Sequence, residues 1–312
     1  MQEGNVVSVN ISTKRGRCKE PVPEIAINER GVAGDAHADD WHRQVSLLAV
    51  ESIERFGQAA GRAFNPGDFA ENVTTQGIDL VQTAPLDRFR IGPTVEIEVT
   101  QLGKKCHGDG CAIYQEVGQC VMPKEGIFCR VLRGGTVKAG MPIVHERRTL
   151  RCWVITLSDR ASSGVYADRS GPRVREHLEQ FAREKRWRLE LETAILPDDA
   201  DRLRDALTAA RDAGEDLIIT TGGTGIGPRD IAPDVVSALA DKVIPGIMEQ
   251  IRAKYAADNP KALLSRSVAA MLGNSLVFTL PGSPKAVDEY LDEIEKTLEH
   301  AIFMVHGLDV HH

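Results

Sequence analysis

The chain has 312 residues, a length that favours two domains over a single hydrophobic core. Its net charge of −7 and aromatic content of only 5% argue against a nucleic acid or an anionic membrane as the main partner. No apolar run is long enough to span a bilayer, and the first residues lack the basic and apolar regions of a signal peptide. The sequence therefore predicts a cytoplasmic protein whose six cysteines do not form disulfide bonds.

The first half of the chain has the pattern of a β-rich domain. Residues 94–100 alternate apolar and polar side chains, as a half-buried strand does. Residues 6–11 and 44–48 are shorter strand candidates, and residues 50–56 predict one short helix. Short strands with few helices predict a mainly-β barrel or sandwich, here over residues 1–146.

The pattern changes after Pro142. Residues 144–149 are polar and charged, which predicts a linker between domains. Beyond them, apolar strand candidates alternate with amphipathic helices. The strand candidates are residues 152–157, 189–196, 217–221 and 275–280, and the helices follow Ser170, Asp199 and Ser283, with a further one around Ile251. This alternation predicts an α/β domain over residues 147–312, with a mostly parallel sheet between two layers of helices.

A glycine-rich turn follows the strand at residues 217–221. It comprises Thr221, Gly222, Gly223, Thr224 and Gly225, with Arg229 and Asp230 shortly after. Glycine lets backbone N–H groups approach a ligand, and ligands bind at the carboxyl ends of strands in α/β sheets. The spacing matches neither usual nucleotide-binding fingerprint. The turn therefore predicts an anion site of another kind, the alternative being a surface turn that only reverses the chain.

Two more polar loops follow strands of the same predicted sheet. The first carries Ser158 and Asp159, with Asp168 shortly after, and the second contains Pro281, Gly282, Ser283 and Lys285. In the second loop a serine precedes a proline at the first helical position, an arrangement that leaves helix N–H groups and the lysine available to a phosphate. Three such loops at one sheet edge favour a binding site over three unrelated helix starts.

Two aspartates flank this predicted anion site. Phosphate chemistry usually requires Mg²⁺, which favours one or two carboxylates together with phosphate oxygens, and Asp198 and Asp230 could supply them. The competing interpretation is that each aspartate only caps the helix that follows it. Glu249 lies in a helical pattern, where a solvated face is the simplest interpretation.

The motifs of the second half resemble, in order, the molybdopterin adenylyltransferase family of molybdenum cofactor biosynthesis. They lie at residues 158–164, 197–198, 221–230, 233–234, 245–249, 264–266 and 280–285. The resemblance covers about residues 151–307 and implies a homotrimeric α/β domain. It also implies that the domain transfers AMP from ATP, with Mg²⁺, to molybdopterin and releases pyrophosphate.

The same resemblance implies a role for individual residues. Asp198 and Asp230 take the places of the catalytic aspartates that also handle Mg²⁺ through the ATP phosphates. The implied substrate-binding residues are Ser158, Asp159, Asp168, Thr221, Gly222, Gly223, Thr224, Gly225, Glu249, Ser265, Arg266, Pro281, Gly282, Ser283 and Lys285.

A second set of motifs lies in the first half. Cys106 follows two lysines just past a predicted strand, where cations would lower the pKa of a thiol and favour the thiolate. A thiolate can attack sulfur, carry a persulfide or bind molybdenum. Residues 34–37, 42–47, 65–72 and 99–107 resemble the domain at the C-terminus of molybdenum cofactor sulfurases (MOSC), which implies a β-barrel. The implied site residues are Cys106, His37, His42, Arg43 and Asn72.

Alternatives remain for the first half. Cys106, His107, Cys111 and Cys120 could bind zinc, although their spacing is not that of a typical zinc site. Cys120 and Cys129 are expected to be buried thiols, and the two histidines could be ordinary loop residues.

Together the motifs predict a bifunctional protein of molybdenum cofactor metabolism. Its second domain would adenylylate molybdopterin, while its first would bind the molybdenum cofactor or handle sulfur on it. Other molybdenum cofactor enzymes are candidate partners. The rivals are a non-catalytic carrier of molybdopterin or the molybdenum cofactor, and a sulfurtransferase centred on Cys106.

Overall fold

A computed structural model describes residues 1–104 and 120–310, which form two compact units. The first unit comprises Met1–Arg148 with the described residues after Gly307, and the second is Thr149–Gly307. None of the helices in these ranges combines the length and the apolar composition that crossing a bilayer requires.

The first unit is built mainly from short strands. They are β1 (Gln2–Ile11), β2 (Glu20–Val22), β3 (Glu24–Asn28), β4 (Gly31–Val32), β5 (Val45–Ala49), β6 (Val73–Gln76), β7 (Arg88–Ile91), β8 (Val95–Leu102), β9 (Ile127–Arg133), β10 (Gly135–Lys138) and β11 (Pro142–Glu146). Its helices are α1 (Val50–Ala60), α2 (Met122–Glu125) and a 3₁₀ turn at Leu80–Gln82.

Seven of these strands close into a barrel. The order is β11-β7-β8-β9-β5-β6-β1, and β11 also pairs with β1, so the sheet has no free edge along this circuit. β2 pairs with β1, and β3, β4 and β10 form a separate small sheet. The alternation of apolar and polar residues in β8 arises because Val95, Ile97 and Val99 point into the barrel, where all three are buried. The predicted mainly-β barrel is confirmed.

The prediction of a linker over residues 144–149 is wrong at both ends of that range. Residues from Val144 to Glu146 belong to β11, which pairs with β1 and β7, and Thr149 already begins the next strand. The polar His145 is tolerated inside the barrel because its Nε2 atom lies 2.7 Å from Asp87 Oδ2 and its ring stacks on Phe89. Only Arg147 and Arg148 connect the two strands.

The second unit alternates strands and helices. Its strands are β12 (Thr149–Leu157), β13 (Arg188–Leu196), β14 (Leu217–Thr221), β15 (Lys242–Val243), β16 (Ala269–Leu272) and β17 (Ser275–Leu280). Its helices are α3 (Asp159–Ser162), α4 (Ser170–Glu184), α5 (Ala200–Ala213), α6 (Ala232–Leu239), α7 (Pro245–Ala256) and α8 (Pro284–Val305), with a 3₁₀ turn at Pro260–Leu264.

The sheet of the second unit has the order β13-β12-β14-β17-β16-β15. The first four strands are parallel and the last two join antiparallel, which confirms a mostly parallel sheet. On one face Ile155, Ile218 and Val277 pack against apolar residues of α5 and α6. Helices α4 and α8 contact each other and the strands β12 and β17, and this packing completes the three layers. The strand at either edge, β13 or β15, has one neighbour among the described strands.

Candidate functional site

Four loops meet at one edge of the second sheet. Leu157 at the end of β12 pairs with Leu196 at the end of β13, and Thr221 at the end of β14 pairs with Thr156 and Leu280. Because these four strands are parallel and end within one residue of each other, the loops that follow them emerge side by side. The structure thus brings together the three predicted loops and a fourth, which carries Asp198.

The glycine turn requires glycine at positions 222 and 223. Gly222 and Gly223 have φ angles of +97° and +61°, in the region that residues with a Cβ rarely adopt. A Cβ on Gly222 would lie 2.3 Å from the carbonyl oxygen of Leu157, and one on Gly282 would lie 3.3 Å from the Gly222 Cα. The turn therefore packs tightly between the loops that follow β12 and β17.

Asp159 and Asp198 form a reciprocal pair between neighbouring loops. The Asp159 N–H donates to Asp198 Oδ2 (3.2 Å), and the Asp198 N–H donates to Asp159 Oδ1 (3.1 Å). Arg229, on the loop after the glycine turn, forms a salt bridge with Asp159. Burial raises the pKa of Asp198, and the negative charges of Asp159 and Asp230 raise it further, against the opposing effect of Arg229.

Neither predicted catalytic aspartate caps a helix. Asp199, not Asp198, caps α5 by accepting hydrogen bonds from the backbone of Asp201 and Arg202. The Asp230 carboxylate accepts from the Gly227 N–H (2.8 Å) within its own loop, and α6 has no side-chain cap. The capping interpretation therefore does not account for Asp198 or Asp230.

Other predicted residues stabilise the loops. Ser158 caps α3 through the Ala161 N–H (3.2 Å), and its hydroxyl lies 3.0 Å from that of Tyr166. Asp168 accepts hydrogen bonds from Thr156, Ser170 and Gly171. Burial alone would raise the pKa of Asp168, but these hydrogen bonds outweigh it and lower that pKa. Asp168 thus stays ionised and fixes the start of α4.

The loop after β17 presents a helix N-terminus. Ser283 caps α8 by accepting from the Ala286 N–H (3.3 Å), and the carbonyl of Pro281 accepts from Thr221 Oγ1 (3.3 Å). The Lys285 side chain is 85% exposed, and its Nζ lies 3.4 Å from Glu289. The loop that leads into α8 therefore packs against the glycine turn, and the first turn of α8 carries an exposed cation, both of which favour an anion site.

Ser265 and Arg266 line a cavity of about 390 Å³ beside the start of α7. The Ser265 hydroxyl accepts from Tyr290 and lies 2.9 Å from the Ser267 hydroxyl. The Arg266 guanidinium instead reaches the glycine turn. Glu249 is exposed on α7.

In the first unit, polar residues gather around the buried Asp35. This Asp35 cluster consists of Lys19, Asp35, His37 and Asn72. Lys19 Nζ lies 2.6 Å from Asp35 Oδ2, and both side chains are only 1% exposed. The Asn72 amide donates to the same oxygen (3.2 Å), while the His37 N–H donates to Oδ1 (2.9 Å). Burial lowers the pKa of Lys19 despite the opposing effect of the Asp35 charge.

The other two described candidates of the first unit lie next to each other. The His42 ring is buried, with Nδ1 3.2 Å from Thr100 Oγ1. The Arg43 guanidinium lies 4.5 Å from the centre of the Trp41 ring, and burial lowers its pKa. Its buried Nε has no hydrogen-bond partner within the described ranges. A desolvated cation of this kind could bind an anion.

The cysteines of the first half differ in burial, and two of them lie outside the described residues. Cys106, His107 and Cys111 lie outside the described residues. Cys129 is fully buried, as predicted, and burial raises the pKa of its thiol well above the usual value. Cys120 is half-buried and packs against an apolar cluster around Phe128.

Sequence reasoning did not select Lys19, Asp35 or Arg229 as site residues. Asp35 and Arg229 lie inside two of the sequence motifs, but no sequence pattern marks their partners. Lys19 has the sequence context of a surface lysine, and its pairing with Asp35 follows only from the fold.

The chain matches two family models and several characterised proteins. Residues 153–300 match the probable molybdopterin binding domain, and residues 32–144 match the MOSC domain. The molybdopterin adenylyltransferase of Escherichia coli (strain K12) is 37% identical over 161 residues, covering 51% of this chain and 80% of that protein. Its counterpart in Haemophilus influenzae is 39% identical over 147 residues, covering 47% of this chain and 73% of that protein.

A molybdenum cofactor biosynthesis bifunctional protein of Synechococcus elongatus is 36% identical over 157 residues, covering 50% of this chain and 47% of that protein. Both resemblances inferred from the motifs are thereby confirmed. The chain belongs to the molybdopterin adenylyltransferase family of molybdenum cofactor biosynthesis, and it carries a MOSC domain in its first half.

Proposed function

We propose that the second unit transfers AMP from ATP to the terminal phosphate of molybdopterin. The observation that carries this proposal is the meeting of Asp198, Asp230 and the glycine turn at one sheet edge, beside the N-terminus of α8. In the reaction a molybdopterin phosphate oxygen bonds to the α-phosphorus of ATP, and pyrophosphate leaves. Since the nucleophile is already an ionised phosphate, the site needs positioning and charge stabilisation more than a base.

Asp198 and Asp230 would hold Mg²⁺ together with the ATP phosphates. Mg²⁺ commonly binds through one or two carboxylates plus phosphate oxygens, and when bound it neutralises phosphate charge. The fit is supported by the electrostatics, because Asp198 lies close enough to Asp159 and Asp230 for their charges to raise its pKa. No group of three or more metal-binding side chains occurs within residues 1–104 and 120–310, so substrate oxygens would complete the coordination.

The glycine turn would hold molybdopterin, with ATP beside it. The turn does not match the nucleotide fingerprints, which favours the pterin phosphate as its ligand. We further infer a homotrimer assembled through the second unit. Support comes from large apolar side chains that are exposed there, namely Ile226, Val243, Leu263 and Leu264.

The full-length protein, incubated with molybdopterin, ATP and Mg²⁺, should form adenylylated molybdopterin and equimolar pyrophosphate. Omitting Mg²⁺ should abolish both products, which chromatography and a pyrophosphate assay would measure. If the protein binds molybdopterin tightly but forms no product under any of these conditions, the enzyme proposal fails and the carrier interpretation takes its place.

For the first unit we propose binding of the molybdenum cofactor or handling of its sulfur, with Cys106 as the reactive thiol. The Asp35 cluster and the desolvated Arg43 support this, because both place buried polar groups among the motif residues. In wild type the Cys106 thiolate should accept the outer sulfur of a persulfide donor, which leaves as the free thiol; Cys106→Ser should therefore abolish persulfide labelling by that donor and leave adenylylation unchanged. Cys18→Ser is the matched control, since Cys18 is an exposed cysteine outside the motifs. Persulfide labelling retained in Cys106→Ser would exclude the sulfur role.

A further inference from the structure

We propose that Arg266 is a positioning residue, which holds the glycine turn and Asp230 in their active arrangement, and that it does not bind substrate. This inference rests on the adenylylation function proposed above for the same site. It reassigns a residue for which the family motif implied a substrate contact.

Every nitrogen of the Arg266 guanidinium has a partner within the protein. Nε donates to the Gly225 carbonyl (2.7 Å), Nη2 to the Asp230 carbonyl (2.5 Å) and Nη1 to Asp234 Oδ1 (2.7 Å). The Arg266 backbone N–H also donates to the Thr224 carbonyl (2.8 Å). These contacts use three of the five guanidinium N–H donors, at least one on each nitrogen, and fix the orientation of the group.

These contacts join both ends of the loop that carries Asp230. Gly225 is the last residue of the glycine turn and Asp230 closes the loop that follows it, so one planar guanidinium contacts two carbonyls that lie five residues apart in sequence. A loop rich in glycine loses much conformational entropy when it becomes ordered. The Arg266 guanidinium is rigid and planar, and its own backbone is held by the hydrogen bond to Thr224. Its two hydrogen bonds to the loop can therefore offset the entropic cost of ordering the loop.

The same contacts control the Asp230 carboxylate. Asp230 Oδ2 accepts from the Gly227 N–H (2.8 Å), which lies inside the loop that Arg266 closes. A Cβ on Gly225 would come within 2.7 Å of that oxygen, so the carboxylate packs directly on the loop backbone. If the loop opens, the carboxylate moves with it, and a displacement of about 1 Å can cost roughly 10²-fold in rate.

Kinetics distinguish positioning from substrate binding. Arg266→Gln should lower kcat roughly 10- to 100-fold, while KM for molybdopterin and for ATP stays within about threefold, because only the reacting arrangement is disturbed. Arg266→Lys should resemble Gln, since an ammonium does not reproduce the fixed planar geometry in which Nε and Nη2 meet the two carbonyls, whereas a simple phosphate-binding site would tolerate lysine. A raised KM with unchanged kcat, or full rescue by lysine, would overturn the proposal.

A double-mutant cycle tests whether Arg266 acts through Asp230. In an Asp230→Asn background the further change Arg266→Gln should alter kcat by less than about twofold, because residues that act as a unit are non-additive. Additive losses would mean that Arg266 acts independently of Asp230 and would contradict the proposal.

Hydrogen exchange gives a readout that does not depend on activity. Arg266→Gln should accelerate amide exchange over residues 221–232 by about tenfold or more, while β17 and α8 keep their protection. Asp234→Asn is the matched control: it removes only the negative charge from the exposed ion pair with Arg266, so exchange and kcat should stay nearly unchanged. Unaltered exchange in Arg266→Gln would overturn the positioning role. An inactive wild-type protein would instead refute the adenylylation function. Hydrogen exchange would still show whether Arg266 holds the loop, because that measurement does not require activity.

Discussion

Asp198→Asn should lower kcat for adenylylation by about 10²- to 10³-fold, the loss typical of removing one group that stabilises charge in a transition state. The substitution keeps the size of the side chain but removes a charge from the group of carboxylates formed with Asp159 and Asp230. Metal affinity should fall at the same time, because an amide is a weaker Mg²⁺ ligand than a carboxylate. Single-turnover rates measured over a range of Mg²⁺ concentrations would separate the two effects.

The neighbouring Asp199→Asn is the control for this prediction. Asp199 caps α5, and asparagine is an equally good capping residue, so both kcat and stability should stay close to wild type. If Asp199→Asn were the inactive variant and Asp198→Asn the active one, the assignment of the catalytic carboxylate would be wrong.

Asp35→Asn should lower the free energy of unfolding of the first unit by about 3–5 kcal/mol, the usual cost of leaving a buried charge without its partner. Lys19 Nζ lies 2.6 Å from Asp35, both side chains are almost inaccessible, and burial already lowers the pKa of Lys19. Removing the aspartate charge lowers that pKa further. Because the folded protein then binds fewer protons than the unfolded chain, the loss should shrink as the pH rises toward the pKa of unfolded lysine.

Hydrogen exchange of strands β1, β5 and β9 in the full-length protein would measure this loss. Asp39→Asn serves as the control, because Asp39 also pairs with cations, Arg15 and Arg30, but is about half exposed. Exposed ion pairs contribute little, so this variant should be close to wild type. Equal losses in the two variants would show that burial of the Lys19–Asp35 pair has no special effect.

Much of the second fold could be predicted because its central strands β14 and β17 are buried on both faces. Both are rich in apolar residues, and their observed bounds are those of the sequence prediction. Prediction from local polarity failed for residues 144–149, where polar and charged residues suggested a linker. His145 is polar yet buried, because it interacts with Asp87. This partner lies 58 residues away in sequence, so no local pattern could predict the burial.

The site was predictable to the level of its loops but not of its contacts. Local patterns located the glycine turn and the adjacent pair Asp198 and Asp199, but they could not decide which aspartate caps α5. The salt bridge of Arg229 with Asp159 spans 70 residues of sequence. Arg266 matched a motif, yet only three-dimensional packing shows that each of its guanidinium nitrogens already has a partner in the protein.

The two edges of the second sheet have a consequence for how copies of this chain can associate. An exposed strand edge offers unpaired backbone groups to a neighbouring molecule and can seed aggregation. β15 is only two residues long, and β13 places charged side chains along its length, with Arg188, Glu190 and Glu192 all exposed. Short edges and edge charges both oppose strand addition. Contact between copies through this sheet is therefore directed to side chains of helices and loops, and fibre-like growth by backbone pairing is disfavoured.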